Sequence, residues 1–160
     1  MAHKTHTDWI DQISTSRAEV DAWLVGMPEK HWQNWVEGQW KIKDLVGHLA
    51  AWSDLLTDQI EDLARGNLEN IKQIEIDIWN AAQIEMRRDW SVAKIWQEWK
   101  QASHRTQNVI TQLPAEVFSQ RWPVPWGEGQ VAIYDLLELW LLHLKQHKEA
   151  WEPVQKKEKK

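Results

Sequence analysis

The stretch IKDLVGHLAAWSDLLTDQIEDLA, residues 42–64, decides the fold. Ile42, Leu45, Val46, Leu49, Trp52, Leu55, Leu56, Ile60 and Leu63 recur at steps of three and four, the period of one helix face. A stripe that long has to be buried against other elements, so the segment predicts an amphipathic helix from about Ile42 to Ala64. Arg65-Gly66-Asn67 supplies its stop, because glycine takes the left-handed conformation that ends a helix. Upstream, Trp9, Ile10, Ile13, Val20, Trp23 and Leu24 carry the same period from about Thr7 to Val25, and Gly26-Met27-Pro28 ends that segment. Residues 28–40 read as a turn and loop anchored by Trp32 and Trp35.

Downstream, a third helical region begins near Ile71 and pauses at Asp89-Trp90-Ser91. Ser91 can cap a helix that continues to Leu113, where Pro114 stops it. The pause predicts either a kink or a fifth short helix. Pro123 to Gly129 reads as a loop, and the last helix runs from about Val131 to Trp151, closed by Pro153. The pattern is that of an all-α four-helix bundle whose third helical region is kinked or split. Residues 1–152 are expected to form the bundle domain and residues 153–160 a flexible, Lys-rich tail.

Composition narrows the function. At 160 residues the chain suits one domain and can bury a core without disulfides. A hydrophobic share of 42% with 27% charged residues predicts a globular fold rather than disorder. The net charge of -5 argues against a nucleic-acid surface, which needs a basic face. With no cysteine, thiolate metal sites and a cysteine nucleophile are excluded. Met1 to Thr7 lack the apolar core of a signal sequence, and no run reaches the roughly 18 apolar residues of a membrane span, so a soluble cytoplasmic protein is expected. Fourteen Trp stand against one Tyr and one Phe, so indoles are expected to do much of the core filling.

His143 and His147 lie four apart on the last predicted helix, about 40° apart around the axis and about 6 Å along it. That spacing lets one helix offer two imidazoles to one metal. Leu136 and Trp140 share the face, which therefore looks inward. A third inward His would complete a three-His set with an open position, and His48 fits, set between Leu45, Leu49 and Trp52 on the buried stripe. Chance pairs of His at this spacing do arise among seven His, and buried imidazoles can simply be hydrogen-bonded core residues. Asp44, one turn before His48, either accepts a hydrogen bond from an imidazole or favours the helix N-terminus through the dipole. His3, His6, His31 and His104 read as solvated.

The segment Gly38-Gln39-Trp40-Lys41-Ile42-Lys43-Asp44-Leu45-Val46-Gly47-His48-Leu49-Ala50-Ala51-Trp52 resembles the second helix of the DinB-like (YfiT-like) four-helix bundle superfamily. Leu142-His143-Leu144-Lys145-Gln146-His147 is similar to that superfamily's final-helix His-x-x-x-His. The middle, Ile76-Asp77-Ile78-Trp79-Asn80-Ala81-Ala82 followed by Arg87-Arg88-Asp89, resembles the ClbS/DfsB branch, whose members include a colibactin self-resistance protein. The resemblance spans Trp9 to Trp151. It implies a divalent metal, zinc or nickel, held by His48, His143 and His147.

Three functions follow as expectations. In the first, the chain is a metal-dependent enzyme, a hydrolase or a thiol-dependent S-transferase, that turns water or a low-molecular-weight thiol on a small electrophilic molecule. Trp52, Trp79, Asn80 and Trp140 would bind that substrate, although Trp79 can equally be core and Asn80 a cap or interhelical hydrogen bond. In the second, a ClbS/DfsB-like self-resistance or small-molecule-binding protein captures its ligand and metal is incidental. In the third, the bundle is structural and pairs as a homodimer through a helix face. None calls for nucleic acid or a membrane.

Overall fold

Helix boundaries fall where the sequence supplies caps. The computed structural model describes residues 4–38, 40–71, 73–124 and 127–158. Four long helices, α1 (His6–Leu24), α2 (Ile42–Arg65), α4 (Val92–Gln112) and α6 (Ile133–Glu158), are joined by shorter elements. These are α3 (Ile76–Met86), α5 (Ala115–Ser119) and four short strands, β1 (Trp35–Glu37), β2 (Trp40–Lys41), β3 (Trp122–Pro123) and β4 (Gln130–Val131). Thr5 and Asp8 form a reciprocal cap on α1, with the Thr5 hydroxyl accepting from the Asp8 N–H at 3.1 Å. The Asp44 carboxylate accepts from the Lys41 N–H at 3.0 Å and so closes the start of α2. Gly66, at φ 73°, ends α2 in the left-handed conformation. Ser91 caps α4 through the Lys94 N–H. The third helical region is thus split, not kinked: α3 ends at Met86 and a new cap starts α4.

α1 packs on α4 and α6, and α2 packs on the same two helices, so the order around the bundle is α1–α4–α2–α6. α1 and α2 therefore sit on one diagonal and α4 and α6 on the other, while α2 and α4 are neighbours. The two connections that bridge a diagonal must cross an end of the bundle, and each folds a two-stranded antiparallel ribbon on the way. β1 pairs with β2 between α1 and α2, and β3 with β4 between α4 and α6. Ile42, Leu45, Val46, Leu49, Ile60 and Leu63 of α2 are buried as their spacing predicts. They meet Ile13 and Val20 of α1, Ile95, Trp99 and Ile110 of α4, and Leu137 and Trp151 of α6 in one core. A seam of hydroxyls joins α2 to α4: Thr106 lies 2.7 Å from both Ser53 and Thr57. The Trp99 indole donates to Asp21 at 2.8 Å and ties α4 to α1.

Several expectations need correction. Trp32 is an anchor of the first connection, but Trp35 is 60% exposed; it sits on the outer face of a short ribbon under the Lys41 ammonium. His6 is not solvated: it opens α1 with its ring edge-on to Phe118 at 4.4 Å and its Nε2 buried. Pro153 does not close the last helix, which continues to Glu158. Proline there removes one N–H from the ladder and crowds the carbonyl of Glu149, a cost that the surrounding helix absorbs. Buried Trp151 anchors the helix just before it, and Lys156 and Lys157 suit the negative end of the dipole. Five Trp (Trp9, Trp32, Trp99, Trp140 and Trp151) are buried, while Trp40 and Trp52 stay half-buried. His3 and the Pro125-Trp126 part of the expected loop lie outside the described residues.

Gly47 is required by close approach. A Cβ there would lie 3.0 Å from Arg87 Cδ and 3.4 Å from Ile95 Cδ1. The Arg87 side chain cannot swing away freely, because its guanidinium is clamped on Glu98 at 2.8 Å and on Gln83. Gly47→Ala is therefore expected to destabilise the fold by about 1–3 kcal/mol, the usual penalty for an overpacked core. Urea unfolding of the two proteins measures it, and equal midpoints would refute the clamp.

Candidate metal centre

α2 and α6 pack side by side, and the contact brings three imidazoles together from residues 95 or more positions apart and one helical turn apart. His143 Nε2 lies 2.9 Å from His48 Nε2 and 2.7 Å from His147 Nε2. The ligand atoms of all three residues fall within 4.8 Å of one another. His48 and His147 are 3% and 8% exposed, and His143 is half-buried. Of the other described His, His6 opens α1, His104 is exposed and His31 is half-buried, and none belongs to this cluster.

Burial pushes all three imidazoles toward the neutral form. Desolvation, with smaller contributions from His143 and His147, lowers the His48 pKa to about 2. Desolvation lowers His143 and His147 to about 4, with His147 adding to the shift of His143. Each ring nitrogen of a neutral imidazole has one site, a proton or a lone pair. The His143 Nε2 can therefore satisfy one of its two Nε2 neighbours by hydrogen bonding and not both. A single cation would satisfy all three lone pairs together. Nitrogens about 2.0–2.1 Å from a tetrahedral zinc would stand about 3.3 Å apart, a few tenths of an ångström wider than the two separations here. Three neutral imidazoles, two of them buried, with an open side are a donor set that suits a borderline divalent metal. The His48 Nδ1 is buried without a partner; Asp44 does not serve it, being committed to the Lys41 N–H.

The three rings form the floor of a cleft of about 450 Å³. Trp52 and Trp140 stand in its wall, each edge-on to His143 at 5.7 and 5.6 Å. Asn80 lines it too, and its Oδ1 accepts from the Trp52 indole at 2.8 Å. Trp79 does not line this cleft. It packs edge-on behind Trp52 at 4.8 Å and faces a neighbouring depression with Leu55, Asp58 and Asp62. Sequence reasoning did not select Trp40, Gln59, Ile76, Leu139, Leu142 and Gln146, which also line the cleft. Leu139 and Gln146 sit four before and three after His143, so helical spacing could have found them. Trp40 and Ile76 arrive from other elements. The β1–β2 ribbon delivers Trp40 onto the imidazoles, 4.6 Å from His48 and 6.2 Å from His147.

A family model described as the DinB superfamily matches residues 12–150. No curated protein sequence matches the chain. Among solved structures, an uncharacterised protein from Clostridium difficile 630 superposes with a TM-score of 0.76 at 11% identity, over 98% of each chain. The colibactin self-resistance protein ClbS, solved in complex with a dsDNA, gives a TM-score of 0.73 at 14% identity over 100% of this chain and 99% of that one. YfiT from Bacillus subtilis, a probable metal-dependent hydrolase with an unusual four-helix bundle topology, gives 0.71 at 13% identity over 96% of this chain and 90% of that one. At these identities the likeness shows the shared fold. Among the described residues, no helix is long and apolar enough to cross a membrane.

Proposed function

The chain belongs to the DinB superfamily, and from that premise we propose that it is a divalent-metal-dependent hydrolase acting on a small electrophilic molecule. One observation carries the reading: three neutral imidazoles, two buried and one half-buried, bring their nitrogens together at the floor of a cleft. His48, His143 and His147 would hold the cation, with zinc and nickel among those that suit an all-imidazole set. When bound, such a cation lowers the pKa of a water and polarises the bond to be attacked. The protein's own residues do the rest. Neutral imidazoles release no protons on binding near pH 7, so the site is ready without a titration step. Trp40 and Trp140 shield the rings from bulk water on two sides. Asn80 fixes the Trp52 indole through its Oδ1, giving the substrate a wall in a set orientation.

The likeness to YfiT favours this reading, and the likeness to ClbS keeps self-resistance against a reactive small molecule as its setting. A nucleic-acid partner is left out of the proposal: the dsDNA belongs to the ClbS complex, and a net charge of -5 gives this chain little attraction for phosphates. A cytoplasmic location and a homodimer complete the proposal.

Mass-spectrometric metal analysis of tag-free protein tests it. A single divalent cation per chain, with loss of ester hydrolysis on chelation and recovery on adding the metal back, is the expected result. Protein that carries no metal and takes up none from buffer overturns it.

A further inference from the structure

We propose that the cleft above the three His takes an uncharged aromatic molecule bearing a carbonyl or similar hydrogen-bond acceptor, which Asn80 recognises by donating from its amide. This deepens the hydrolase reading and rests on it only for taking this cleft as the substrate site.

Among the described residues, no side chain lining the cleft is an Asp, Glu, Lys or Arg. Away from the three His, where a bound cation would supply positive charge, a charged ligand group would be stripped of water with no opposite charge to meet it, which is strongly unfavourable. The walls are instead the indoles of Trp40, Trp52 and Trp140, faces and edges that suit a flat ring. The mouth is apolar: Ile76, Leu139 and Leu142 line it while staying 56%, 63% and 50% exposed. A volume of about 450 Å³ falls within the range of small-molecule sites.

Polarity enters through amides, and one of them is pre-oriented. The Asn80 Oδ1 is committed to the Trp52 N–H, which settles which end of the amide is which. What remains for a ligand is the Asn80 NH₂, a donor with no acceptor among the described residues. A donor beside a wall of indoles selects a ligand with an acceptor next to its ring. The same lack of charge disfavours a co-substrate thiol whose carboxylates would lie away from the three His, since no Lys or Arg among the described residues lines the cleft to receive them. Water is then the co-reactant that the lining accommodates.

The test uses three probes of one shape: 2-naphthylacetamide, 2-naphthylacetate and 2-(2-naphthyl)ethylammonium. Each is titrated calorimetrically into the full chain at pH 7 with chelator present, so that no cation can capture the carboxylate. The neutral amide is expected to bind at least about tenfold more tightly than either ion, because only the ions lose hydration without compensation. Asn80→Asp keeps an oxygen for the Trp52 N–H but removes the donor. It should weaken the amide by about fivefold or more, the worth of one hydrogen bond, and strengthen the ammonium probe. Circular dichroism and an unchanged melting temperature check that the variant is folded. If either ion binds wild-type protein as well as the amide, if no probe binds, or if Asn80→Asp leaves the amide affinity unchanged, the proposal is wrong. Metal content does not enter these titrations, so failure here leaves the metal centre untouched, and an absent metal leaves this result standing.

Discussion

Replacing His143 by Ala is expected to lower affinity for a divalent cation by more than about a hundredfold. Loss of a mere hydrogen-bond partner to a metal ligand already weakens binding 10–100-fold, by order of magnitude, and His143 is the ring that stands between the other two. Its Nε2 is within 3 Å of both His48 and His147 Nε2, so its removal leaves a pair on separate helices. Competition against a chromophoric chelator at pH 7 measures the change. Wild-type affinity should also vary little as pH is lowered from 7.5 to about 5.5, because imidazoles with pKa values of about 2 and 4 have no protons to shed in that range. An ordinary exposed three-His site would weaken across the same interval. A His143→Ala protein that binds metal as wild type does would remove the site from these three residues.

The second large effect is on stability. Freed of metal, the protein should become markedly less stable as pH falls from about 6.5 to about 4. In the unfolded chain the three His titrate near 6.5; in the folded chain they titrate at about 2, 4 and 4. Between those values the unfolded chain binds more protons, so unfolding is favoured as pH drops, and stability rises with pH until it levels off above about 6.5. At pH 5 each His lies about 1.5 units below its unfolded pKa, worth about 2 kcal/mol apiece. Together that is several kcal/mol, a sizeable part of the roughly 5–15 kcal/mol that keeps a domain folded. The His48→Leu variant removes the most deeply buried of the three and should lose less stability between pH 7 and pH 5 than wild type. Urea unfolding at both pH values, in chelator, makes the comparison. Equal losses in the two proteins would show that these imidazoles are not the source. The two effects together describe a site maintained against its own stability: a change that abolishes metal binding makes the metal-free fold more tolerant of acid.

How much of this was legible beforehand differs by element. The stripe from Ile42 to Leu63, the stop at Gly66 and the cap at Ser91 are local events, set by the helical period and by side chains three or four residues apart, and the sequence contains all of that. His143 and His147 sharing a face is local in the same sense. So is the neutrality of the cleft, in part, because Leu139, Leu142 and Gln146 are fixed by their spacing from those His. Trp35 and Pro153 mislead for the opposite reason. A residue's type gives its preference, while a short ribbon's outward face and a helix anchored by Trp151 decide the outcome.

By itself, then, the sequence determined that four amphipathic helices form, where they begin and, except for the last, where they end, and that two imidazoles lie on one turn, because each of these depends on neighbours within a few residues. Only the tertiary structure decided that α2 lies beside α6 and across from α1, which sets His48 against His143. It also decided that the β1–β2 ribbon carries Trp40 over the rings and that Trp79 packs behind Trp52 and lines the neighbouring depression. These are choices among distant partners, made by packing whole helix faces at once, and no spacing along the chain encodes them.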